Sequence, residues 1–266
     1  MRILLTGAGS WLGRTLVQRL HREHQLLSLG EPAEGAVEAA GRLGDEPSLR
    51  RALEGVQVVL HMASATGEDG RSGLLQAASW ARVKRVVWVG HAGTLDQRGR
   101  SPALERLRLA SQAACGTETP AVSLLQPATM LGPGRPGGPP PVIQAWLDGR
   151  VHSAPGGGLA FVDVRDVGGA VEAAMTRGPT GVGLPLAAAA WSFQAFYSTL
   201  AHLSGRTPPP PDPRHWLAGE HPPELDPAGL AWQVDSRQAR DALGWWTRSP
   251  DRSLGDTLAD AGVVRG

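Results

Sequence analysis

Glycines at positions 7, 9 and 13, a hydroxyl at Ser10 and imidazoles at His61 and His91 are the residues whose types and spacing carry chemistry in this chain. The stretch Met1-Arg-Ile-Leu-Leu-Thr-Gly-Ala-Gly-Ser-Trp-Leu-Gly13 starts with an apolar run, Ile3–Leu5, and turns at Thr6 to Gly13. Leu12, Leu16 and Leu20 then recur at helical spacing. Strand, glycine turn and helix in this order make an anion site, because first-turn amides and the helix dipole both favour negative charge. The ligand that chemistry suits is the pyrophosphate of a dinucleotide. Gly7 and Gly9 allow the tight turn, Gly13 allows close packing of helix on strand, and Ser10 could offer an amide or hydroxyl to phosphate. Trp11 and Leu12 belong to the same site, with Trp11 expected beside the cofactor.

Most of the remaining polar candidates sit on predicted loops, and Tyr197 sits on a predicted apolar helix. His91, in Gly90-His-Ala-Gly-Thr94, follows the apolar run Val86–Val89 at the edge where α/β ligands bind. Imidazole titrates near neutrality and could protonate an alkoxide, while the competing reading is a loop histidine bonded to backbone. His61 follows the run Val56–Leu60 and reads as structural. Ser64 and Thr66 are hydroxyl donors on the loop after it. Asp163 and Asp166 read as loop-orienting and helix-capping groups, and Tyr197 as core. The nine tryptophans read as core or lid.

These residues must be positioned by short β-like runs alternating with helical patterns, which implies a parallel sheet with crossover helices. Gln25–Leu29, Val56–Leu60, Val86–Val89 and Val122–Gln126 are expected strands, the last closed by Pro127. Asp45 can cap a helix from Pro47 to Glu54, ended by Gly55. Leu74, Leu75 and Ala78 mark another, and Leu104 to Ala114 a further one. Val167, Ala170, Val171 and Ala174 form a helical stripe with Asp166 as its expected cap, and Phe193, Phe196, Leu200 and Leu203 form the next. Gly132–Pro141 and Pro208–Pro213 read as loops over the carboxyl edge of the sheet. The expected organisation is one Rossmann-type doubly wound α/β domain spanning 1–266. Substrate-lobe segments fall mainly in 132–160 and 186–266.

Composition narrows the function classes. The 266 residues carry a formal net charge of +1, so no nucleic-acid partner is implied. A single cysteine, Cys115, excludes an intrachain disulfide and fits a reducing, cytoplasmic setting. No window approaches the ~18 apolar residues of a membrane span. The expected partners are a small-molecule substrate and, at most, a second copy of the chain.

Six landmarks together resemble the extended or atypical short-chain dehydrogenases/reductases of the NAD-dependent epimerase/dehydratase family. They are Thr6–Gly13, Leu53–Ala63, Val83–Val89, Gln126–Gly134, Phe161–Val167 and Val234–Trp245, in the family's order from end to end. The resemblance implies a Rossmann fold and NAD or NADP as cofactor, with Met62, Ala63 and Ser64 lining its site. The family's turn usually has a glycine where Ser10 stands. Its ribose-binding acid falls at Gly30, with Glu31 beside it. A carboxylate at Glu31 favours NAD, because it accepts hydrogen bonds from a ribose diol and repels a 2′-phosphate; Arg14 and Arg42 would favour NADP.

The family's catalytic pattern is absent. Its Tyr-x-x-x-Lys cannot occur, because the chain holds one tyrosine, Tyr197, and one lysine, Lys84. The resemblance aligns Leu104 with the tyrosine, Arg108 with the lysine, His91 with the catalytic hydroxyl and Leu131 with the tyrosine of the P-x-x-x-Y-G turn. Leucine cannot move a proton. Three functions are consistent with this: an oxidoreductase or epimerase acting on a small carbonyl or hydroxyl substrate through a rebuilt acid/base site using His91 or a substrate-bound water; a non-catalytic NAD(P) sensor; and a non-redox lyase or isomerase.

Overall fold

The computed structural model describes residues 1–62, 71–95, 102–116, 118–212 and 233–263. The expected residues Ala63, Ser64 and Thr66, and the side chain of Leu104, lie outside them.

A seven-stranded sheet organises the chain, in the order β10-β6-β5-β4-β1-β2-β3. Its strands are β1 (Arg2–Thr6), β2 (Gln25–Leu29), β3 (Val37–Ala39), β4 (Val58–Met62), β5 (Arg85–Val89), β6 (Ala121–Pro127) and β10 (Gly183–Leu186). Every pairing in it is parallel. Strands buried on both faces need near-continuous apolar runs, which Ile3–Leu5 and Val86–Val89 supply. One face is covered by α1 (Trp11–Leu20) and α6 (Val164–Arg177), the other by α2 (Glu46–Ala52), α3 (Arg71–Trp80) and α4 (Pro102–Cys115). Strand order reverses between β1 and β4, so the ligand crevice of such a fold opens there, outside the carboxyl ends.

Much of the remaining described chain builds a second layer. A three-stranded sheet, β7 (Thr129–Leu131), β9 (Gly158–Asp163) and β11 (Ala189–Ser192), packs with α5 (Pro141–Leu147) and α7 (Phe193–Ser204). The pair β8 (Ala154–Pro155) and β12 (Pro211–Asp212) lies near α7. Two helices close the chain: α8 (Arg237–Leu243) packs on α6, and α9 (Pro250–Asp260) packs on α7. Tyr197 is 1 % exposed among Phe193 and Phe196, and burial raises its phenol pKa, so it is a core residue as expected.

Several expected boundaries move. The fourth strand runs Val58–Met62 instead of Val56–Leu60, which brings His61 inside the sheet. The helix after Asp45 runs Glu46–Ala52, and the Asp45 side chain makes no cap bond. The expected Asp166 cap is Asp163: α6 begins at Val164, and the Asp163 carboxylate accepts from Arg165 N. Part of the Pro208–Pro213 loop is the short strand β12. Trp246 is 84 % exposed, neither core nor lid.

Candidate functional site

The glycine turn is built for close approach. Gly7 has φ +72°, the left-handed region that glycine adopts without strain. A Cβ on Gly13 would stand 2.2 Å from Gly7 O and 2.6 Å from Ala8 O, so α1 lies directly on the turn. A Cβ on Gly7 would meet Met62 Cβ at 3.3 Å, which places Met62 against the same turn.

Ser10 is the N-cap of α1. Its hydroxyl donates to Gly7 O at 2.7 Å and accepts from Gly13 N at 3.1 Å, while its own amide donates to Gly7 O at 3.0 Å. Both groups expected for phosphate are therefore spent inside the turn. The first-turn amides of α1, Trp11 and Leu12, remain, and first-turn amides are the groups of a helix that can donate to an anion. Glu31 hangs over this turn: a Cβ on Gly9 would sit 2.4 Å from its Oε2. Arg14 is also tied to the turn, its Nε donating to Gly9 O at 2.9 Å.

His61 and His91 separate into different roles. His61 is 4 % exposed, with Nδ1 2.7 Å from Thr6 Oγ1 and its ring 4.2 Å from that of Trp88. It ties β1 to β4 beneath the crevice. His91 is half-buried just beyond β5. Its Nδ1 accepts from Gly93 N at 2.9 Å, so the ring is the Nε2–H tautomer, and burial lowers its pKa from 6.5 to about 4. At neutral pH it is a hydrogen-bond donor and not an imidazolium. This departs from the expected titration near neutrality: protonation would put a hydrogen on Nδ1, opposite the Gly93 N–H.

The loop carrying His91 is fixed by residues that motif reading passes over. Thr94 Oγ1 donates to His91 O at 2.7 Å and accepts from Gln126 Nε2 at 2.9 Å. Gly90 N donates to Leu125 O at 2.8 Å. Thr94 and Gln126 also line a cavity of about 510 Å³ beside α4, together with Arg108 and Ser111. Arg108 spends its guanidinium on its own helix, donating to Glu105 Oε2 at 2.9 Å and Gln112 Oε1 at 2.6 Å. Its hydrogen bonds to the Glu105 carboxylate raise its pKa. It holds no geometry of a free, lysine-like cation.

A charged cluster secures the carboxyl-edge loop from below. Asp163 is fully buried; burial alone would raise its pKa, but the Arg165 hydrogen bonds and the Arg248 charge overcome this and lower it. Arg165 Nη2 reaches Asp163 at 2.7 Å and Asp256 at 2.6 Å. Arg248 Nη1 stands 2.7 Å from Asp163 and 3.0 Å from Asp166, and Arg248 N donates to Asp166 Oδ2 at 2.9 Å. Burial raises the Asp166 pKa. Arg248 and Asp256 follow the last sequence landmark, so no spacing pointed to them. No cluster able to hold a metal occurs among the described residues.

Solved structures share this fold. A nucleoside-diphosphate-sugar epimerase from Pseudomonas aeruginosa superposes with a TM-score of 0.80 at 21 % identity, over 100 % of this chain and 99 % of its own. The fold is that of the NAD-dependent epimerases and dehydratases. A dTDP-glucose 4,6-dehydratase from Bacillus anthracis, in complex with NAD, gives 0.78 at 14 % identity over 98 % and 96 %. The enzyme WbmG from Bordetella bronchiseptica, also in complex with NAD, gives 0.77 at 19 % identity over 99 % and 96 %. No family model and no curated protein matches the sequence. Among the described residues no helix is long and apolar enough to cross a membrane.

Proposed function

We propose that this chain binds NAD at the Gly7–Gly13 turn and acts as an epimerase/dehydratase-like oxidoreductase on a small carbonyl or hydroxyl substrate. The observation that carries the first part is the Glu31 carboxylate over Gly9, beside the Trp11 and Leu12 amides of α1. Amides suit the pyrophosphate, and a carboxylate suits a ribose diol while repelling a 2′-phosphate. The residues thus fit NAD better than NADP, although Arg14 on the same turn supplies a cation. Bound there, the nicotinamide supplies hydride-transfer chemistry.

The chain's own contribution at the reacting centre is a hydrogen bond. His91 donates Nε2–H to a substrate oxygen, and Thr94 and Gln126 hold its loop in place. With Nδ1 committed to Gly93, His91 exchanges no proton near neutral pH, so the proton on that oxygen moves to or from water. The substrate lobe is assigned mainly to segments 132–160 and 186–266, apart from α8 and Trp245, which pack with α6.

A second reading, a non-catalytic dinucleotide sensor, is favoured by one observation: neither position 91 nor position 108 carries a transferable proton at pH 7. Calorimetry with NAD and NADP tests the binding, and turnover of carbonyl compounds with NADH separates the two readings. NAD should bind tighter than NADP. Glu31→Ala should weaken NAD by about tenfold or more, since a hydrogen bond to a charged group contributes ~1.5–3 kcal/mol. A protein that binds neither dinucleotide refutes the proposal. Tight binding without turnover supports the sensor.

A further inference from the structure

Trp11 does more than fill space at the first position of α1. Its indole Nε1 donates to Pro133 O at 2.9 Å, across 122 residues of sequence. Pro133 lies between two glycines at positive φ, Gly132 at +122° and Gly134 at +77°. Both are anchored to the C-terminal helix: Gly132 N donates to Thr257 Oγ1 at 2.8 Å, and Gly134 N to Asp260 Oδ2 at 2.9 Å. Gly132 also lies against the α6 cap, where a Cβ would meet Asp163 Oδ1 at 3.1 Å.

Three consecutive residues are therefore held by three elements, and among the described residues only the Trp11 bond leads to the nucleotide turn. Proline has no amide N–H, so the backbone of Pro133 enters this network only through its carbonyl, which accepts from Trp11. The Trp11 backbone amide is one of the first-turn donors of α1, so a ligand seated on those amides fixes the residue whose side chain grips the loop.

We infer that Trp11 is a positioning residue that couples dinucleotide occupancy to the order of the 132–134 segment at the substrate lobe, so that cofactor binding prepares the site for substrate. This rests on the dinucleotide reading above. A cofactor that rigidifies the segment lowers the ordering cost left for the second ligand, which is positive coupling without a large movement.

Hydrogen exchange at the Gly132 and Gly134 amides tests it, read with and without NAD at a concentration saturating each protein by calorimetry. In the wild type, NAD should slow exchange by about tenfold. Trp11→Phe keeps an aromatic ring and loses the donor, so the ratio of free to bound rates should fall below about twofold. Asp260→Ala removes a different anchor of the same segment. It should speed Gly134 exchange in both states and leave the ratio intact. Equal ratios in wild type and Trp11→Phe overturn the inference, and so does a ratio that collapses in Asp260→Ala, which would mean any lost anchor uncouples the loop. If NAD does not bind the wild type at all, the dinucleotide reading fails first, and calorimetry alone reveals that.

Discussion

If His91 is a neutral hydrogen-bond donor, its titration must show it. Its pKa of about 4 lies below the ordinary 6.5 because the half-buried ring is desolvated, and its Nδ1 already accepts from Gly93. A histidine whose folded pKa is depressed contributes stability that is complete above the unfolded pKa and is lost as pH falls. The window is therefore pH 6.5 down to about 4, with stability rising as pH rises. At about 1.36 kcal/mol per unit, the full shift corresponds to ~3 kcal/mol, of which about 2 kcal/mol is lost between pH 7 and pH 4.5. Urea unfolding of wild type and His91→Gln at both pH values isolates it, because the other acidic groups titrate in both proteins. The wild type should lose about 2 kcal/mol more than the variant. Proton NMR of the imidazole should place the midpoint near 4. A midpoint between 6 and 7 would refute the tautomer argument and restore His91 as a general acid. Turnover carries the same signature. His91→Ala should lose ~10²-fold, as for removal of one preorganised donor, whereas Gln, which keeps an N–H, should recover much of that loss.

Other consequences follow from single contacts. Gly13→Ala would force a Cβ to 2.2 Å from a backbone oxygen that cannot rotate away. It should cost about 3 kcal/mol and lower Tm by about 10 °C in a melting experiment. Arg248→Ala leaves Asp166 buried without its cation and should destabilise by about 3 kcal/mol in urea, as for other broken buried pairs. A loss below 1 kcal/mol would mean that Arg165 serves both acids. Tyr197→Phe should leave NAD affinity and any turnover unchanged, because the ring packs in the lobe core far from any proposed role.

What the sequence could disclose depended on how local the physics is. The β1 turn was legible because glycine spacing, the apolar run and the Leu12–Leu16–Leu20 stripe all act within 20 residues. Its inner wiring was not. Ser10 stands where the related turns have glycine, and only the structure reveals that its hydroxyl caps α1 and closes on Gly7. Asp163 and Asp166 are three residues apart near one helix start, and either could serve as cap by pattern. The helix start decides it: Asp163 precedes the first helical residue and accepts from Arg165 N, while Asp166 lies within the helix beside Arg248. Trp11, Thr257 and Asp260 escape any local pattern, since the bonds that join them to Gly132–Gly134 cross more than 120 positions.

The same distinction bears on the missing tyrosine and lysine. Loss of a Tyr-x-x-x-Lys pair is visible in composition, yet composition cannot say whether another proton carrier takes its place. The structure narrows the answer by removing candidates one at a time. Arg108 is turned along its own helix to Glu105 and Gln112. Tyr197 is in the lobe core, His61 is locked to Thr6, and the Asp163–Asp166 pair is neutralised by two arginines. His91 follows β5, its Nδ1 accepts from Gly93 N, and burial leaves its ring uncharged at pH 7. On the function proposed above, His91 would orient and polarise a substrate oxygen while water carries its proton. The rate in the reducing direction should then follow solvent acidity without an inflection from His91 between pH 6 and 8. A clear inflection in that range that vanishes in His91→Gln would sink this assignment.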